Sequence, residues 1–396
     1  MPEPELDYLA FDCDNHYYEA RDAFTRHVPK AMQPRCVQWA EVDGRQYHVV
    51  GGRLSRAVAN PTWNPIAKPG AMYEYFRGNP HGRNPLEMLR EREPLPAEYI
   101  DRDARVQVIE RQGLEGVWLF PTLGVLYEEL LKHDLVAVRT LVEAFNRWLL
   151  EDWGFDYKGK IFSAPYLSLA DPGFACRELE WALAEGAKVV VMRPAAVWTE
   201  TGPRSPADPL FDPFWARAAE AGVTVVVHAG DSGYSTHGYV DDGFSSTFSG
   251  ANYKPSVKSF LIERAAYDFL ITLCYEKLFE RHPNLRIASV ENGSEFLVDL
   301  FRKLGQSKNR MPGYYAEDPT ELFRRNVWIN PFWEDDVNEV VELMGADRVI
   351  FGSDWPHIEG MPQPLDYLQD VAHFGDATKR RILRDNSVEL NTLSPA

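Results

Sequence analysis

Acidic and imidazole side chains follow short apolar runs at widely separated points of this 396-residue sequence. Asp14 and His16 lie near the start of the chain, His228 near its middle and Asp354 near its end. Alternate residues of a strand share a face, so Asp14 and His16 can point the same way. Taken singly, each residue also fits an ordinary role as a solvated strand end, a buried histidine or a loop cap. Together, these carboxylate and imidazole donors predict a site for a divalent transition metal.

Three further polar side chains stand at the ends of predicted strands: Arg193, Glu291 and Asn330. Two more, Tyr234 and His357, lie in the loops that follow such strands. Arg193 can bind a substrate carboxylate through two parallel hydrogen bonds, or pair with nearby acids. Glu291 can be a metal ligand, an orienting partner of a histidine, or an acceptor for loop amides. His357 can act as a general acid or cap a turn. We predict that Glu291 and His357 are catalytic together with Asp354, and that substrate is bound by Arg193, Asn330 and Tyr234.

These side chains meet only if the apolar runs are neighbouring strands. From residue 102 onwards, apolar runs alternate with helical segments, and the segment 127–153 is predicted to be a single helix. With the apolar run near the start of the chain, the predicted strands number eight. Short strands that are apolar throughout are typical of a parallel sheet covered by helices. We therefore predict a (β/α)8 TIM barrel with its active site at the C-terminal ends of the strands. An open doubly wound sheet is the alternative, but no glycine-rich turn follows the first strand.

The chain, 1–396, is predicted to be a single barrel domain with an insertion at 35–100 after strand one. Asp43-Gly44 separates VQWAEV from RQYHVV, which is a strong hairpin signal. The stretch that follows is rich in proline and glycine and has no regular period, so we expect an irregular cover over one end of the barrel. Exposed aromatic side chains in this cover are expected to support a homodimer: Trp63, Tyr73, Tyr75 and Phe76.

Composition excludes several classes of protein. The net charge is −17 and no basic stripe is present, which argues against nucleic acid or an anionic membrane surface as a partner. No apolar run approaches the roughly 18 residues of a membrane helix. The four cysteines form no CxxC pair, and the N-terminus has no apolar signal core. We expect a cytoplasmic protein whose partner is a small-molecule substrate.

Seven strings, in order, make the chain resemble the amidohydrolase-related (amidohydrolase 2) family, which groups metal-dependent hydrolases with non-oxidative decarboxylases. The strings are DCDNHYYE (12–19), DRDARVQVIERQGLEGVWLFPT (101–122), VVVMRPA (189–195), VVVHAG (225–230), LFERHPNLRIASVENG (278–293), FGSDWPH (351–357) and ILRDNSVEL (382–390). The resemblance implies a metal-bearing (β/α)8 barrel over nearly the whole chain.

The resemblance also implies a ligand set for one divalent metal: Asp14, His16, His228 and Asp354. Two histidines and two aspartates suit zinc first, with manganese or iron as alternatives. Glu291 stands where many members have a histidine, and no lysine ends strand four to bridge a second metal. The implied activity is hydrolysis of a small anionic or aromatic molecule by metal-activated water. A non-oxidative decarboxylase of an aromatic or unsaturated carboxylic acid is the alternative, followed by a barrel that binds a ligand without turnover.

Overall fold

The computed structural model describes residues 6–55, 57–58, 60–234 and 261–394. Parallel strands follow one another round the molecule, each joined to the next by a helical crossover. Strands β1, β2 and β3 form one sheet, and β4, β5, β6 and β7 form another in that spatial order. Their bounds are β1 Ala10–Tyr17, β2 Leu114–Pro121, β3 Ile161–Ser163, β4 Val189–Met192, β5 Thr224–His228, β6 Arg286–Val290 and β7 Val327–Ile329.

A few backbone contacts on each side join the two sheets into a ring. After β3, Tyr166 pairs in parallel with Val191 of β4. On the other side, residues 349–351 lie between β7 and β1, because Ile350 N donates to Ile329 O and Cys13 N donates to Phe351 O. The predicted eighth strand therefore occupies its place without forming a regular ladder, since only three residues precede the turn at Gly352. The predicted TIM barrel is confirmed.

Apolar strands and capped helices explain why the sequence folds this way. Every residue of β4 and β5 is buried, as expected for parallel strands with helices on one face and a packed interior on the other. Aspartates begin several crossover helices by accepting a backbone N–H of the first turn, among them Asp101, Asp134 and Asp171. The single helix predicted over 127–153 is wrong. The structure has two helices there, Tyr127–Leu131 and Leu135–Asp152, and Asp134 caps the start of the second.

The helices are α-helical, apart from short 3-10 turns and one π turn near the C-terminus. None in the described residues has both the length and the apolarity to cross a membrane. Pro319–Asn326, before β7, was not predicted. The α-helices are Tyr73–Phe76, Pro85–Met88, Arg102–Arg111, Tyr127–Leu131, Leu135–Asp152, Pro172–Ala184, Asp212–Ala221, Leu261–Tyr275, Leu278–Arg281, Leu297–Arg310, Pro319–Asn326, Val337–Met344, Asp376–Arg380 and Asn386–Leu390.

The insertion begins with the predicted hairpin. Strands Val37–Val42 and Arg45–Val50 pair antiparallel, and Asp43 and Gly44 have φ values of 51° and 73°, the left-handed pair that a tight type I′ turn needs. Further along, Gly70 N donates to His357 O (3.0 Å) and Met72 N donates to Ile358 O (2.9 Å). The insertion is therefore tied to the loop that follows the eighth strand position.

The aromatic side chains of the insertion are not exposed, which corrects the expectation drawn from the sequence. Trp63 is 6% exposed, and Tyr73, Tyr75 and Phe76 are partly buried. Tyr73 stacks on Trp333 at 4.3 Å between ring centroids. These rings hold the insertion against the barrel, so they give no reason to expect a homodimer.

Candidate metal centre

Asp14 and His16 lie within β1 rather than in a loop after it, because the strand continues to Tyr17. Both side chains are almost fully buried. Their alternate positions place them on one face, and Asp14 Oδ1 lies 3.3 Å from His16 Nε2. The predicted pair is therefore brought together at the C-terminal end of the barrel.

His228 is the last residue of β5 and is 1% exposed. Its Nδ1 donates to Ala229 O at 2.9 Å, since a carbonyl oxygen can only accept. The neutral ring then carries a lone pair on Nε2, which faces Asp14 Oδ1 at 3.4 Å and Glu291 Oε2 at 3.2 Å. A histidine held this way presents the nitrogen that a metal needs.

Glu291 and Asp354 close the cluster from the ends of β6 and of the eighth strand position. Glu291 Oε2 lies 3.3 Å from His16 Nε2, and Asp354 Oδ1 lies 3.4 Å from the same nitrogen. Both residues have φ of 55°. Asp354 N donates to the backbone oxygen of Asp14 (2.8 Å), which fixes the turn beside β1.

The potential ligand atoms of this cluster lie where a cation would interact with several of them. Three of the donor atoms are buried and have no hydrogen-bond partner among the described residues: Asp14 Oδ1, His16 Nε2 and His228 Nε2. Potential ligand atoms of Asp14, His16, His228 and Glu291 lie within 4.8 Å of one another. Unpartnered buried polar atoms are costly, and a cation among them would satisfy all of them at once. The cluster therefore fits a divalent metal ion.

The electrostatics of the cluster point the same way. Burial lowers the pKa of His16, but the carboxylates of Asp14 and Glu291 outweigh it and raise the value to about 10. Burial, followed by the charge of Glu291, raises the pKa of Asp354 well above its ordinary value. Three carboxylates around two imidazoles attract a positive charge, whether a proton or a metal ion.

His357 lies beside this cluster, with its ring centroid 3.9 Å from that of His16. Its Nδ1 is 2.6 Å from Asp354 Oδ1, and its Nε2 is 3.0 Å from Thr122 Oγ1. The single hydroxyl hydrogen of Thr122 goes to Tyr17 O at 2.7 Å, so His357 Nε2 must donate to Thr122. A hydrogen bond between His357 Nδ1 and Asp354 then requires one more proton, on one side chain or the other.

Comparison with known proteins identifies the family of this chain. The sequence model of the amidohydrolase family matches residues 123–390, more than half of the chain. The chain belongs to the amidohydrolase family. It is 41% identical to an amidohydrolase from Mycobacterium avium subsp. paratuberculosis K-10, whose crystal structure superposes with a TM-score of 0.91 and covers 98% of this chain and 100% of that one.

Other matches to this chain include decarboxylases. A 2-amino-3-carboxymuconate-6-semialdehyde decarboxylase from Dictyostelium discoideum is 25% identical over 132 residues, 32% of this chain and only 36% of the relative. A 5-carboxyvanillate decarboxylase from Novosphingobium aromaticivorans, complexed with manganese and 4-hydroxy-3-methoxy-5-nitrobenzoic acid, shares the fold at 16% identity. Its TM-score is 0.60, with 97% of this chain and 96% of that one covered.

Two groups that support the centre of this amidohydrolase were not predicted. Asp12, fully buried, accepts from Asp14 N and Ser353 N at 3.0 Å, and from Asn15 Nδ2 and Ser353 Oγ at 2.9 and 2.6 Å. Arg105, also fully buried, donates to Asn15 Oδ1 at 2.5 Å. The DCD string contains Asp12, but only the fold shows that it joins β1 to the loop of Asp354.

The three predicted substrate-binding residues have protein partners. Arg193 Nη1 donates to Glu129 Oε2 (2.6 Å), and its Nε lies 3.4 Å from Glu128 Oε2. Asn330 Oδ1 accepts from the backbone N–H of residue 291 at 3.3 Å, so this side chain supports the turn after β6. The Tyr234 hydroxyl bonds Asp268. The aromatic residues that follow it in the sequence lie outside the described residues: Tyr239, Phe244, Phe248 and Tyr253. Substrate binding by these three stays a prediction.

Proposed function

We propose that this amidohydrolase is a non-oxidative decarboxylase of an aromatic or unsaturated carboxylic acid. The observation that carries the proposal is the hydrogen bond between His357 Nδ1 and Asp354 Oδ1, which holds a proton beside the metal centre. Decarboxylation breaks the bond between the carboxylate carbon and the adjacent carbon, whose electron pair then takes up a proton. No oxidant and no water are consumed, so a held proton is the reagent that the protein must supply.

The proposed ligands of the metal are Asp14, His16, His228 and Asp354, with Glu291 as a fifth. When bound, a divalent cation supplies positive charge that holds and polarises substrate oxygens or lowers the pKa of a water. Three of the five donors are carboxylates, which suit manganese better than the zinc favoured by the sequence. Elemental analysis of protein purified after equal exposure to zinc, manganese and iron identifies the metal. The site would be refuted if each of the three metals were present at less than about a tenth of an equivalent.

The orientation of the His357 ring supports the proposal that His357 and Asp354 share a proton. Thr122 accepts from Nε2, and that direction leaves Nδ1 facing Asp354. Burial, followed by the positive charge of His16, lowers the pKa of His357 well below its ordinary value. We propose that the proton shared by His357 Nδ1 and Asp354 Oδ1 passes to the substrate carbon, and that Thr122 keeps the His357 ring in this orientation.

A hydrolase is the second candidate. Glu291 supports it, because its carboxylate lies within 3.3 Å of both histidines and its side chain is 16% exposed, so it can take a proton from a water. Such a reaction adds the oxygen of water to the substrate carbonyl. The two candidates therefore differ in which solvent atom enters the product.

The deciding experiment uses isotopes. Metal-loaded protein is incubated with 2,6-dihydroxybenzoate, 5-carboxyvanillate and aminocarboxymuconate semialdehyde in D2O, and with lactones, esters and amides in water enriched in oxygen-18. Decarboxylation gives carbon dioxide and a deuterium at the vacated carbon. Oxygen-18 in the products, with no carbon dioxide from the acids, would overturn the proposal in favour of hydrolysis.

Variants assign the activity to this centre. His228→Ala and Asp354→Asn should lose the metal while keeping the fold, and His357→Gln should keep the metal but lose turnover. His282→Gln is the matched control, because His282 bonds Asp212 (3.1 Å) after the helix Leu278–Arg281 and contacts none of the proposed ligands. Full metal occupancy in both ligand variants would refute the ligand assignment.

Two finer points stay proposals. We keep a cytoplasmic location and a homodimer, the latter now without the support of exposed aromatic residues in the insertion. Light scattering coupled to size exclusion, compared with the chain mass of 45.2 kDa, decides the second.

A further inference from the structure

Trp63, in the insertion, combines three unusual properties. Its side chain is 6% exposed, and its buried indole Nε1 has no hydrogen-bond partner in the part of the chain that the structure describes. Its φ is 59°, a left-handed conformation that is rare for a bulky residue. Backbone conformations of this kind persist where the surrounding structure requires them, often at ligand-binding positions. Both the ring and its unused donor therefore call for an explanation.

A line of rings connects Trp63 to the metal centre. Trp63 lies over Tyr18, with ring centroids 4.8 Å apart, and Tyr18 lies 5.8 Å from His357. Tyr18 follows Asp14 and His16 at alternate positions of the chain. The insertion is also bonded to the His357 loop by the hydrogen bond from Gly70 N to His357 O. Trp63 thus belongs to an aromatic wall that begins at the proposed proton donor.

Among the described residues, no group accepts a hydrogen bond from this N–H, including the hydroxyls of Tyr18 and Tyr99. The hydroxyl of Tyr18 donates to Pro356 O, and that of Tyr99, on the other side of Tyr18, donates to Glu93 Oε1. A buried water needs at least about two polar partners, and an aromatic wall offers few. An indole N–H can only donate, so what is missing is an acceptor.

We propose that Trp63 binds substrate, its indole N–H donating a hydrogen bond to a second anionic oxygen of an aromatic acid whose first carboxylate is held at the metal centre. The proposal rests on the proposed function and narrows the substrate to aromatic acids with a remote carboxylate or phenolate. An aromatic substrate suits this position because the side chains beside the indole are themselves rings, those of Tyr18 and then His357. A charged acceptor suits the donor because hydrogen bonds to charged groups are the stronger ones.

The test compares one and two carboxylates. Benzoate carries one; isophthalate and terephthalate carry a second in two positions. In metal-loaded protein labelled with nitrogen-15 tryptophan, the Trp63 indole resonance, assigned by its loss in Trp63→Phe, should move with a dicarboxylate and not with benzoate. The better dicarboxylate should bind more tightly than benzoate by about tenfold, the lower range for a hydrogen bond to a charged group.

The variants separate contact from packing. Trp63→Phe should bind benzoate as before and lose the preference for the dicarboxylate. Trp148→Phe is the matched control: Trp148 also has a buried, unpartnered Nε1, but it packs on Tyr17 and Phe145 within the helical layer. It should keep the preference. Melting temperatures of both variants check that each is folded.

The outcomes are distinct. If both dicarboxylates leave the Trp63 resonance unmoved in the metal-loaded protein, or Trp63→Phe keeps the preference, the inference is wrong and the indole binds water only. If the resonance moves but no acid releases carbon dioxide, the proposed reaction fails while the contact stands. Carbon dioxide release with an unmoved resonance overturns the contact alone.

Discussion

Asp12 is the residue whose replacement most directly tests how the metal centre is built. Its carboxylate is fully buried and joins two segments far apart in sequence: β1, which carries Asp14, and the loop that carries Asp354. We predict that Asp12→Asn weakens metal binding by about 10- to 100-fold, the usual cost of disturbing groups that orient ligands. Asp12 itself is not a proposed ligand, so the loss would come from displaced neighbours.

The cost to stability follows from the hydrogen bonds. Asparagine keeps one oxygen for the backbone N–H groups of Asp14 and Ser353, but places an NH2 where Oδ2 accepts from Asn15 and Ser353. The Ser353 hydroxyl can turn to accept, whereas Asn15 cannot, because its Oδ1 is held by Arg105. One buried donor is left unpaired, which costs about 1–3 kcal/mol. With an unfolding entropy of about 2.1 cal/mol/K per residue over 396 residues, the melting temperature falls by about 1–4 °C.

The assay measures both quantities on one preparation, by calorimetric titration of manganese into chelated protein and by thermal unfolding. Glu178→Gln is the control, because Glu178 is also a buried carboxylate, bonded to Asn146 and Arg147, but supports only a crossover helix. It should lower the melting temperature without changing metal affinity. An Asp12→Asn protein that melts earlier yet binds metal within about threefold of the wild type would refute the reasoning.

Three further predictions concern the insertion and the buried charges. Gly70→Ala should lower stability by about 1–3 kcal/mol and expose the insertion to limited proteolysis, because φ is 66° and a Cβ would lie 2.7 Å from Pro362 Cδ; unchanged digestion would contradict this. Burial lowers the pKa of His48 to about 4, so folded protein resists protonation and stability is lost as pH falls from about 6.5 towards 4. His48→Phe should remove up to about 3 kcal/mol of that loss, seen as a flatter dependence of melting temperature on pH; an unchanged slope would contradict it. Arg193→Lys should cost about 1–3 kcal/mol through its pair with Glu129, with little change in KM for an aromatic acid, whereas a raised KM at unchanged stability would restore its predicted contact with substrate.

Much of the fold was predictable because parallel barrels leave a strong local signal. Short apolar runs that alternate with helical segments gave the barrel and the positions of its strand ends. Asp43-Gly44 gave the hairpin, since few other dipeptides adopt two left-handed conformations. The long helix over 127–153 was wrong because its apolar period continues through the break, and only the cap at Asp134 marks it. Capping is a weaker signal than periodicity.

The sequence predicted that four of the proposed ligands would converge, but it did not predict the residues that hold them in place. Asp14, His16, His228 and Asp354 stand at strand ends, and the topology brings such positions together. Arg105 lies inside a short helix rich in charged residues, where an arginine usually faces solvent. Its burial follows from contacts with residues 15 and 16, and its cation lies over the Trp355 ring at 4.7 Å. Such long-range pairing cannot be read from local sequence.

Glu291 has an unusual backbone conformation and adds a negative charge to the candidate metal centre. At φ of 55° a glutamate is less usual than an aspartate such as Asp354, and the conformation costs about 1–3 kcal/mol. Part of this cost is offset by the Asn330 side chain, which accepts from the Glu291 N–H. The strained turn delivers a third carboxylate to the centre where many relatives are expected to have a neutral imidazole. Glu291 is placed to act as the base of a hydrolase, but its negative charge also raises the pKa of any water held there. The second effect hinders a hydrolase and not a decarboxylase, in which no water is ionised. Glu291→His should therefore favour hydrolysis, measured as oxygen-18 incorporation into ester products, and an unchanged ratio of the two activities would remove this argument for decarboxylation.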